Sequence, residues 1–480
     1  MIFRVKQVLS VSVLAAIGLL AAACEQPANV NTNVNTNVGN SNPAPINAAS
    51  PVASPRAENP RAEANLPVTL PVLDAMFADE GFAGEVKSKL GLTDEQIERL
   101  RTVSREAVGN LNESETDEGT GSTTDAVKRA QEQIRGVIGE DKTRQLASLV
   151  RERWQQGGFE ETAANGGAQK PSGVPTDTRI VVNAPAYRMD LFKDGQLVRS
   201  YKIGIGYPEF PLPTGMRRAE TLIFNPTWTP PDEPWVKGKV QPGKKVEAGS
   251  PLNPLGPIKS PIGSPSLIHG GKNPARLGGF ASHGCVGLTN DQVQQVALDL
   301  AQLTGTSVTA EDLKNYLQNK TETKNVKLSQ PMPVELRYET IVVEDGKLKI
   351  FRDVYERGTN TEENLRAVLE ANGVSFESLS EPERAKITEA LKQMARDPAG
   401  NPVNTADGNV NNNSNKNVKE TKTIKGAKEA TIEIAALKGK GYPAPADLNT
   451  GGKTSKPLGG STGKNTGNTN ANVSGQNKRF

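Results

Sequence analysis

Long tracts at both ends of this 480-residue chain lack the apolar residues that a folded core requires. Residues 24–69 are rich in Asn, Ala and Pro, and residues 397–480 are rich in Asn, Gly and Lys. Segments that bury little apolar surface cannot offset the chain entropy that folding removes. We therefore predict disordered N- and C-terminal tails, with folded domains only between them.

The net charge of the chain excludes one class of partner. A formal charge of +3 is too small to indicate nucleic-acid binding, so no nucleic acid is predicted as a ligand. The charge is uneven, because residues 401–480 carry twelve Lys and Arg against five Asp and Glu. We favour a solvated basic tail over one that contacts anionic polymers of the cell envelope.

The N-terminus has the pattern of a signal peptide at residues 1–23. Arg4 and Lys6 precede an apolar stretch that is short for a membrane span. Its end, LLAAAC, resembles a bacterial lipoprotein signal, which predicts that Cys24 is lipidated; the alternative is an ordinary secretory signal. We expect an exported protein of the cell envelope, anchored by lipid and facing the periplasm. Glu25, in place of an aspartate, favours the outer membrane.

Residues 70–160 show helical periodicity and are predicted to form a separate N-terminal helical domain. A capping box of Thr93 and Gln96 predicts the start of one helix. Residues 161–176 are predicted to be a linker. One apolar helix face is interpreted as core rather than as a docking surface, so no protein partner of this domain is specified. This face consists of Leu146, Leu149, Val150 and Trp154.

From residue 177 onward the pattern changes to alternating strands. A hairpin is predicted with its turn at Asp194 and Gly195. Residues 311–355 are predicted to be a hairpin extension that turns at Asp345 and Gly346. Residues 356–396 are predicted to form a short helical segment, in which Ser380 and Glu383 make a capping box.

Both histidines and one of the two cysteines lie in a single glycine-rich loop, HGGKNPARLGGFASHGC, at residues 269–285. A thiol attacks a carbonyl as the thiolate, so a nucleophilic cysteine needs a proton acceptor or a positive field nearby. If Cys24 is lipidated, Cys285 has no disulfide partner, which in an oxidising compartment indicates a functional thiol. His269 and His283 are both candidate bases, and their spacing does not rank them.

The backbone next to the thiol is also suited to chemistry. Gly284 frees the chain between His283 and Cys285, so that the amides of residues 284 and 285 could turn toward a developing oxyanion. A zinc site made of two imidazoles and one thiolate is disfavoured, because the usual ligand spacings are missing and the loop contains no carboxylate. No metal is predicted.

The pattern His, twelve residues, then Ser-His-Gly-Cys resembles the signature of the YkuD family of L,D-transpeptidases. The run IHGG, the run NPLG at residues 253–256 and the run PLPTGMRRAETLIFNPTWTPP support this resemblance. It covers residues 177–310 and implies a mostly β fold. The expected fold class is therefore α+β: a mostly β, YkuD-like catalytic domain, a separate N-terminal helical domain and disordered tails.

The resemblance implies a cysteine-dependent acyltransferase that acts on peptidoglycan stem peptides. Such an enzyme forms 3→3 cross-links through a thioester on Cys285, with loss of D-Ala and without a cofactor. His269 would be the general acid and base, oriented by a backbone carbonyl near Gly270. Ser282, His283 and Gly284 would orient the sulfur and shape the oxyanion site, together with the amide of Cys285.

One residue departs from the family pattern. The family usually has Arg or Asn two residues after the cysteine, where this chain has Gly287. Arg276 is a candidate substitute, although a solvated loop cation is the simpler interpretation. Gly270, Arg276 and Trp228, the last in a proline-rich loop, are predicted to contact the substrate.

Other functions remain open from the sequence. Water as acceptor would make the protein an L,D-carboxypeptidase, and a protein lysine as acceptor would make it a lipoprotein-anchoring transpeptidase. A wall-binding lipoprotein without catalytic activity is the alternative of a different class, and Gly287 is its main support.

Overall fold

The structure is a computed structural model that describes residues 68–109, 111–112, 122–156, 173–230, 240–241, 243–403, 418–419 and 423–451. The predicted signal peptide, the lipidated Cys24 and nearly all of the N-terminal linker lie outside these residues. Most of the linker at 161–176 and the side chain of Trp154 also lie outside them. No helix in the described ranges has both the length and the apolar character needed to cross a membrane.

The N-terminal part of the described chain folds into a helical domain with its own apolar core. Thr93 and Gln96 form the reciprocal capping box, with both hydrogen bonds at 3.1 Å. Gly139 (φ 80°, ψ 168°) interrupts the longest helix. Leu146, Leu149 and Val150 are buried in the core, as predicted. The helices are α1 (Leu70–Phe77), α2 (Glu80–Leu90), α3 (Asp94–Gly109) and α4 (Thr123–Gln156).

An eight-stranded mixed sheet forms the centre of the catalytic region, and its strand order is β7-β6-β5-β4-β8-β1-β2-β3. Asp194 and Gly195 have positive φ angles and make the predicted hairpin turn between β2 and β3. The strands are β1 (Arg179–Asn183), β2 (Arg188–Lys193), β3 (Gln196–Lys202), β4 (Gly215–Phe224), β5 (Ile258–Pro261), β6 (Leu267–His269), β7 (Val286–Gly287) and β8 (Lys324–Arg337).

Helix α5 (Asn290–Thr304) follows the glycine-rich loop and packs its apolar face on the sheet. Thr289, rather than Asn290, is its N-cap and forms a capping box with Gln292. The Asn290 side chain instead accepts a hydrogen bond from the N–H of Gly271 at 2.8 Å. It therefore braces the backbone just beyond β6. Helix α6 (Ala310–Gln318) leads on to β8.

Strand β8 extends the main sheet beyond residue 310. It lies in the segment predicted to be the hairpin extension and pairs antiparallel to β4 and parallel to β1. The hairpin itself is shorter than predicted and consists of β9 (Ile341–Glu344) and β10 (Lys347–Phe351), with its turn at Asp345 and Gly346.

The predicted hairpin and the short helical segment form one module. Helices α7 (Glu362–Ala371) and α8 (Glu381–Met394) pack on the sheet β9-β10-β11, and the Ser380–Glu383 capping box is present. The third strand, β11 (Glu429–Glu433), comes from the segment predicted to be disordered.

Part of the predicted C-terminal tail is therefore folded, because residues 423–451 lie against the folded domains. The N–H groups of Ser200 and Lys202, on the edge strand β3, donate to the carbonyls of Ala446 and Asn449 at 2.8 and 2.9 Å. This pairing covers the sheet edge through the backbone, so composition does not reveal it. The tail residues 404–417 and 452–480 lie outside the described part.

The helical domain contacts the catalytic region through hydroxyl groups. Thr69 Oγ1 donates to the carbonyl of Glu209 at 2.6 Å, and Thr123 Oγ1 donates to the carbonyl of Pro208 at 2.7 Å. Ser122 and the N–H of Thr123, at the start of α4, both hydrogen-bond the carboxylate of Glu356.

Candidate active site

The backbone register brings the two ends of the glycine-rich loop together. Strand β7 pairs in parallel with β6, so that Gly287 lies opposite His269. Directly paired residues of neighbouring strands present their side chains on the same face of a sheet. Cys285 comes two residues before Gly287, at the entry to β7. The loop therefore returns the sulfur to the strand neighbouring that of the distant imidazole.

His269 is buried and is held in one tautomer. Its Nδ1 lies 2.7 Å from the carbonyl of Gly270, which can only accept, so Nδ1 carries the proton and Nε2 has the free lone pair. Burial and the nearby ammonium group of Lys272 lower the pKa of His269 to about 3. Hydrogen bonds to the carbonyls of Gly270 and Leu255 raise the pKa of His269 and offset part of this lowering. The imidazole is therefore neutral at physiological pH, with its lone pair on Nε2.

Cys285 is a free thiol with only 8% of its surface exposed. Burial raises its pKa above the ordinary value. A backbone hydrogen bond from Leu267 and the charges of Lys272 and Lys259 offset part of that effect. The resting pair is therefore a neutral thiol and a neutral imidazole, so attack on a carbonyl requires a base at the moment of reaction.

Ser282 shapes the turn that carries the sulfur. Its Oγ accepts from the N–H of Cys285 at 3.0 Å and donates to the carbonyl of the same residue at 2.5 Å. The amide of Cys285 is thus already engaged, which corrects the expectation that it faces an oxyanion. Gly284 has a φ of +87°, and its N–H has no hydrogen-bond partner among the described residues. It is the candidate oxyanion donor that remains.

His283 does not lie beside the sulfur in an extended segment, because the left-handed backbone of Gly284 bends the chain between them. Its ring makes edge-on contacts with Tyr207 and Phe210, at centroid distances of 5.1 and 4.8 Å. These contacts fit a role in orienting the loop. Of the two candidate bases, His269 is the one on the strand that pairs with β7, the strand that begins directly after Cys285.

The three predicted substrate contacts have different surroundings. Gly270 is packed against helix α5, where an added Cβ would lie 2.8 Å from Val293 Cγ1. Arg276 reaches the hydroxyl of Tyr207 at 3.5 Å. Trp228 pairs its backbone with Val246 in the loop after β4, and residues 231–239 of that loop lie outside the described part.

The side chain that lies against Gly287 is Lys272, not Arg276. A Cβ added to Gly287 would lie 2.9 Å from Lys272 Cγ and 3.1 Å from its Cε. Sequence reasoning missed Lys272, and also Lys259, which lies opposite His269 across the β5–β6 pair. Lys272 is part of the run HGGK, but the local sequence does not indicate that its side chain packs against Gly287.

The site shows no metal-binding arrangement in the described ranges. No three His, Cys, Asp or Glu side chains come close enough there to hold a metal ion.

Comparison with known proteins agrees with the geometry. Residues 177–309 match the family model of the YkuD L,D-transpeptidase catalytic domain. The chain is 24% identical over 168 residues to the Bacillus subtilis (strain 168) protein YqjB, whose name ascribes L,D-transpeptidase activity to it. That match covers 34% of this chain and 88% of YqjB. Residues 177–309 are therefore assigned to the YkuD L,D-transpeptidase catalytic domain.

Two solved structures are also similar to this chain. The catalytic domain of the E. faecium L,D-transpeptidase is 19% identical, with 34% of this chain and all of that chain covered and a TM-score of 0.21. An L,D-transpeptidase from Mycobacterium smegmatis is 14% identical, with 34% and 58% covered and a TM-score of 0.21. This chain thus spans little more than half of the second protein.

Proposed function

We propose that the protein is a peptidoglycan L,D-transpeptidase that forms 3→3 cross-links through a thioester on Cys285. The observation that supports this best is the strand register of His269 against Gly287, because Cys285 comes two residues before Gly287 and the His269 ring has its Nδ1 on the carbonyl of Gly270. The family of residues 177–309 supports the same reaction class.

The acylation step begins with proton transfer from Sγ of Cys285 to Nε2 of His269. The sulfur adds to the carbonyl that precedes the terminal D-Ala of a tetrapeptide stem, and the N–H of Gly284 donates to the resulting oxyanion. The C–N bond then breaks as the imidazolium returns its proton to the amine of the departing D-Ala. A thioester on Cys285 remains.

The second step transfers the acyl group. The side-chain amine of a neighbouring stem attacks the thioester, and His269 takes the proton that the amine loses. The tetrahedral intermediate expels the thiolate, which takes the proton back, so the free enzyme is regenerated with a new amide bond. Ser282 and His283 act in both steps by holding the turn in place.

The test is mass spectrometry of muropeptides incubated with wild-type protein and with Cys285→Ala. We expect a cross-linked dimer that has lost one D-Ala, formed only by the wild type. Identical products from both proteins would contradict the proposal. A monomeric tripeptide formed only by the wild type would instead assign water as the acceptor. Intact-mass measurement after incubation with a carbapenem tests acylation of Cys285 separately.

We further propose that the protein acts in the cell envelope, exported and anchored to the membrane by a lipid on Cys24. The signal-like pattern of residues 1–23 supports this location, and Glu25 favours the outer membrane. Mass spectrometry of the mature N-terminal peptide provides the test. An unmodified Cys24, or a protein that retains residues 1–23, would contradict it.

A further inference from the structure

Three residues form a row across the strands next to the sulfur. Lys259 on β5 lies opposite His269 on β6, and His269 lies opposite Gly287 on β7. Directly paired residues share a face of the sheet, so the ammonium group, the imidazole and the bare backbone of the glycine are neighbours.

Lys272 occupies the space over Gly287. The contact distances of 2.9 Å to Cγ and 3.1 Å to Cε from an added Cβ show that its aliphatic chain covers this position. The backbone of Lys272 is fixed there as well, because its N–H donates to the carbonyl of Leu288 at 3.0 Å. A side chain at residue 287 and the chain of Lys272 would therefore compete for one volume.

Both ammonium groups lack a counter-ion within the described ranges. Neither Lys259 nor Lys272 forms an ion pair or hydrogen bond with a described carboxylate, and both side chains are partly buried. Burial lowers the pKa of Lys272 to about 8, and the Cys285 thiolate acts in the opposite direction. Partly buried cations without an anion are costly, so a ligand that brings an anion would relieve that cost.

We infer that Lys272, together with Lys259, forms a binding site for the terminal carboxylate of the donor peptide. This inference rests on the proposed function. In a donor that loses its last amino acid, the terminal carboxylate is only three bonds from the scissile carbonyl carbon. A cation beside the nucleophile is therefore within reach of it. Lys272 supplies a cationic side chain that packs over Gly287.

The first experiment measures binding without chemistry, in the Cys285→Ala background. Two tetrapeptides are compared, one ending in D-Ala carboxylate and one in D-Ala amide. We expect the parent to bind the carboxylate peptide more tightly, and Lys272→Met to weaken that binding about ten- to a hundredfold with little change for the amide. Lys272→Arg retains the charge and is expected to retain most of the preference.

A matched control is Lys392→Met, which replaces an exposed lysine on α8, in a different apolar core from the catalytic sheet. It should bind both peptides as the parent does. Equal binding of the two peptides by the parent, or a preference that survives Lys272→Met, would overturn the inference. An equal loss for both peptides would also overturn it, since the lysine would then not act on the carboxylate.

The same two donors are then used with Cys285 intact. Lys272→Met should slow acylation by the carboxylate donor about ten- to a hundredfold more than acylation by the amide donor. If the wild-type protein binds the carboxylate selectively but acylates with neither donor, the proposed function fails while the binding site stands. If acylation occurs and the donor preference is unchanged by Lys272→Met, the binding site fails while the function stands.

Discussion

At the scale of single residues, the proposed nucleophile Cys285 and the proposed base His269 are both uncharged at rest. Burial shifts the pKa of His269 down and that of Cys285 up, which keeps the proton on the sulfur. A preformed thiolate and imidazolium would need the opposite shifts. In the proposed mechanism, the proton has to leave the sulfur during the attack on the carbonyl.

This arrangement predicts the pH dependence of alkylation. The rate of Cys285 modification by iodoacetamide should rise with pH through the alkaline range, above the ordinary pKa of a thiol, because the folded protein favours the protonated form. A plateau already reached near neutral pH would show a preformed thiolate and contradict the prediction.

Ser282 is expected to matter for stability as well as for rate. Ser282→Ala leaves the buried N–H and carbonyl of Cys285 without their partner, and should lower the free energy of unfolding by about 1–3 kcal/mol. The sulfur should also lose its position, so that acylation by a carbapenem becomes slower. Thermal unfolding and intact-mass kinetics measure the two effects. An unchanged melting temperature would contradict the assigned hydrogen bonds.

At the scale of elements, short sequence patterns predicted the hairpin turns, because the conformation of a turn depends mainly on its own residues. The Asp194-Gly195 and Asp345-Gly346 turns need positive φ at both residues, and these residue types adopt it readily. The spacing of His269 and Cys285 also identified their loop. Lys272 could not be found in this way, because its contact with Gly287 exists only after β6 and β7 have paired.

Strand β8 shows the same limit of local reasoning. Its first half is mostly exposed, and its buried residues are concentrated at the far end, so only part of the strand has the burial of a central strand. Its partners, β1 and β4, lie about a hundred residues or more away in the chain. The assembled sheet determines which strands pair over such distances, and the sequence of β8 alone does not indicate its partners.

The folded C-terminal segment predicts the outcome of a truncation. Ending the chain at residue 440 removes the backbone that pairs with β3, and also Tyr442, whose ring contacts Phe192 at 5.7 Å. We expect a lower melting temperature and self-association through the exposed edge, measured by thermal unfolding and size-exclusion chromatography. Truncation at residue 452, which keeps these contacts, is the control. Equal behaviour of the two truncated proteins would contradict the assigned role.

At the scale of the whole molecule, Glu356 joins the helical domain to the rest of the chain. Burial raises its pKa from 4.5 to about 7, against the hydrogen bonds from Ser122 and Thr123. The folded protein therefore keeps this carboxyl protonated where the unfolded chain has ionised it. The free energy of unfolding should be highest below pH 4.5 and fall as pH rises through about 7.

The variant Glu356→Gln isolates this effect. Its uncharged side chain should abolish the decrease in unfolding free energy with rising pH. We expect that decrease to be on the order of 2 kcal/mol after solvent screening. The measurement is the difference in unfolding free energy between variant and wild type at pH 5 and at pH 8. A difference that stays constant with pH would show that Glu356 does not titrate as assigned.

The hydroxyls of Thr69 and Thr123 hold the carbonyls of Glu209 and Pro208, and the same short stretch of chain carries the aromatic rings against which His283 rests. The helical domain thus supports the segment that packs against His283. An isolated fragment that starts at residue 177 would lack these two hydrogen bonds.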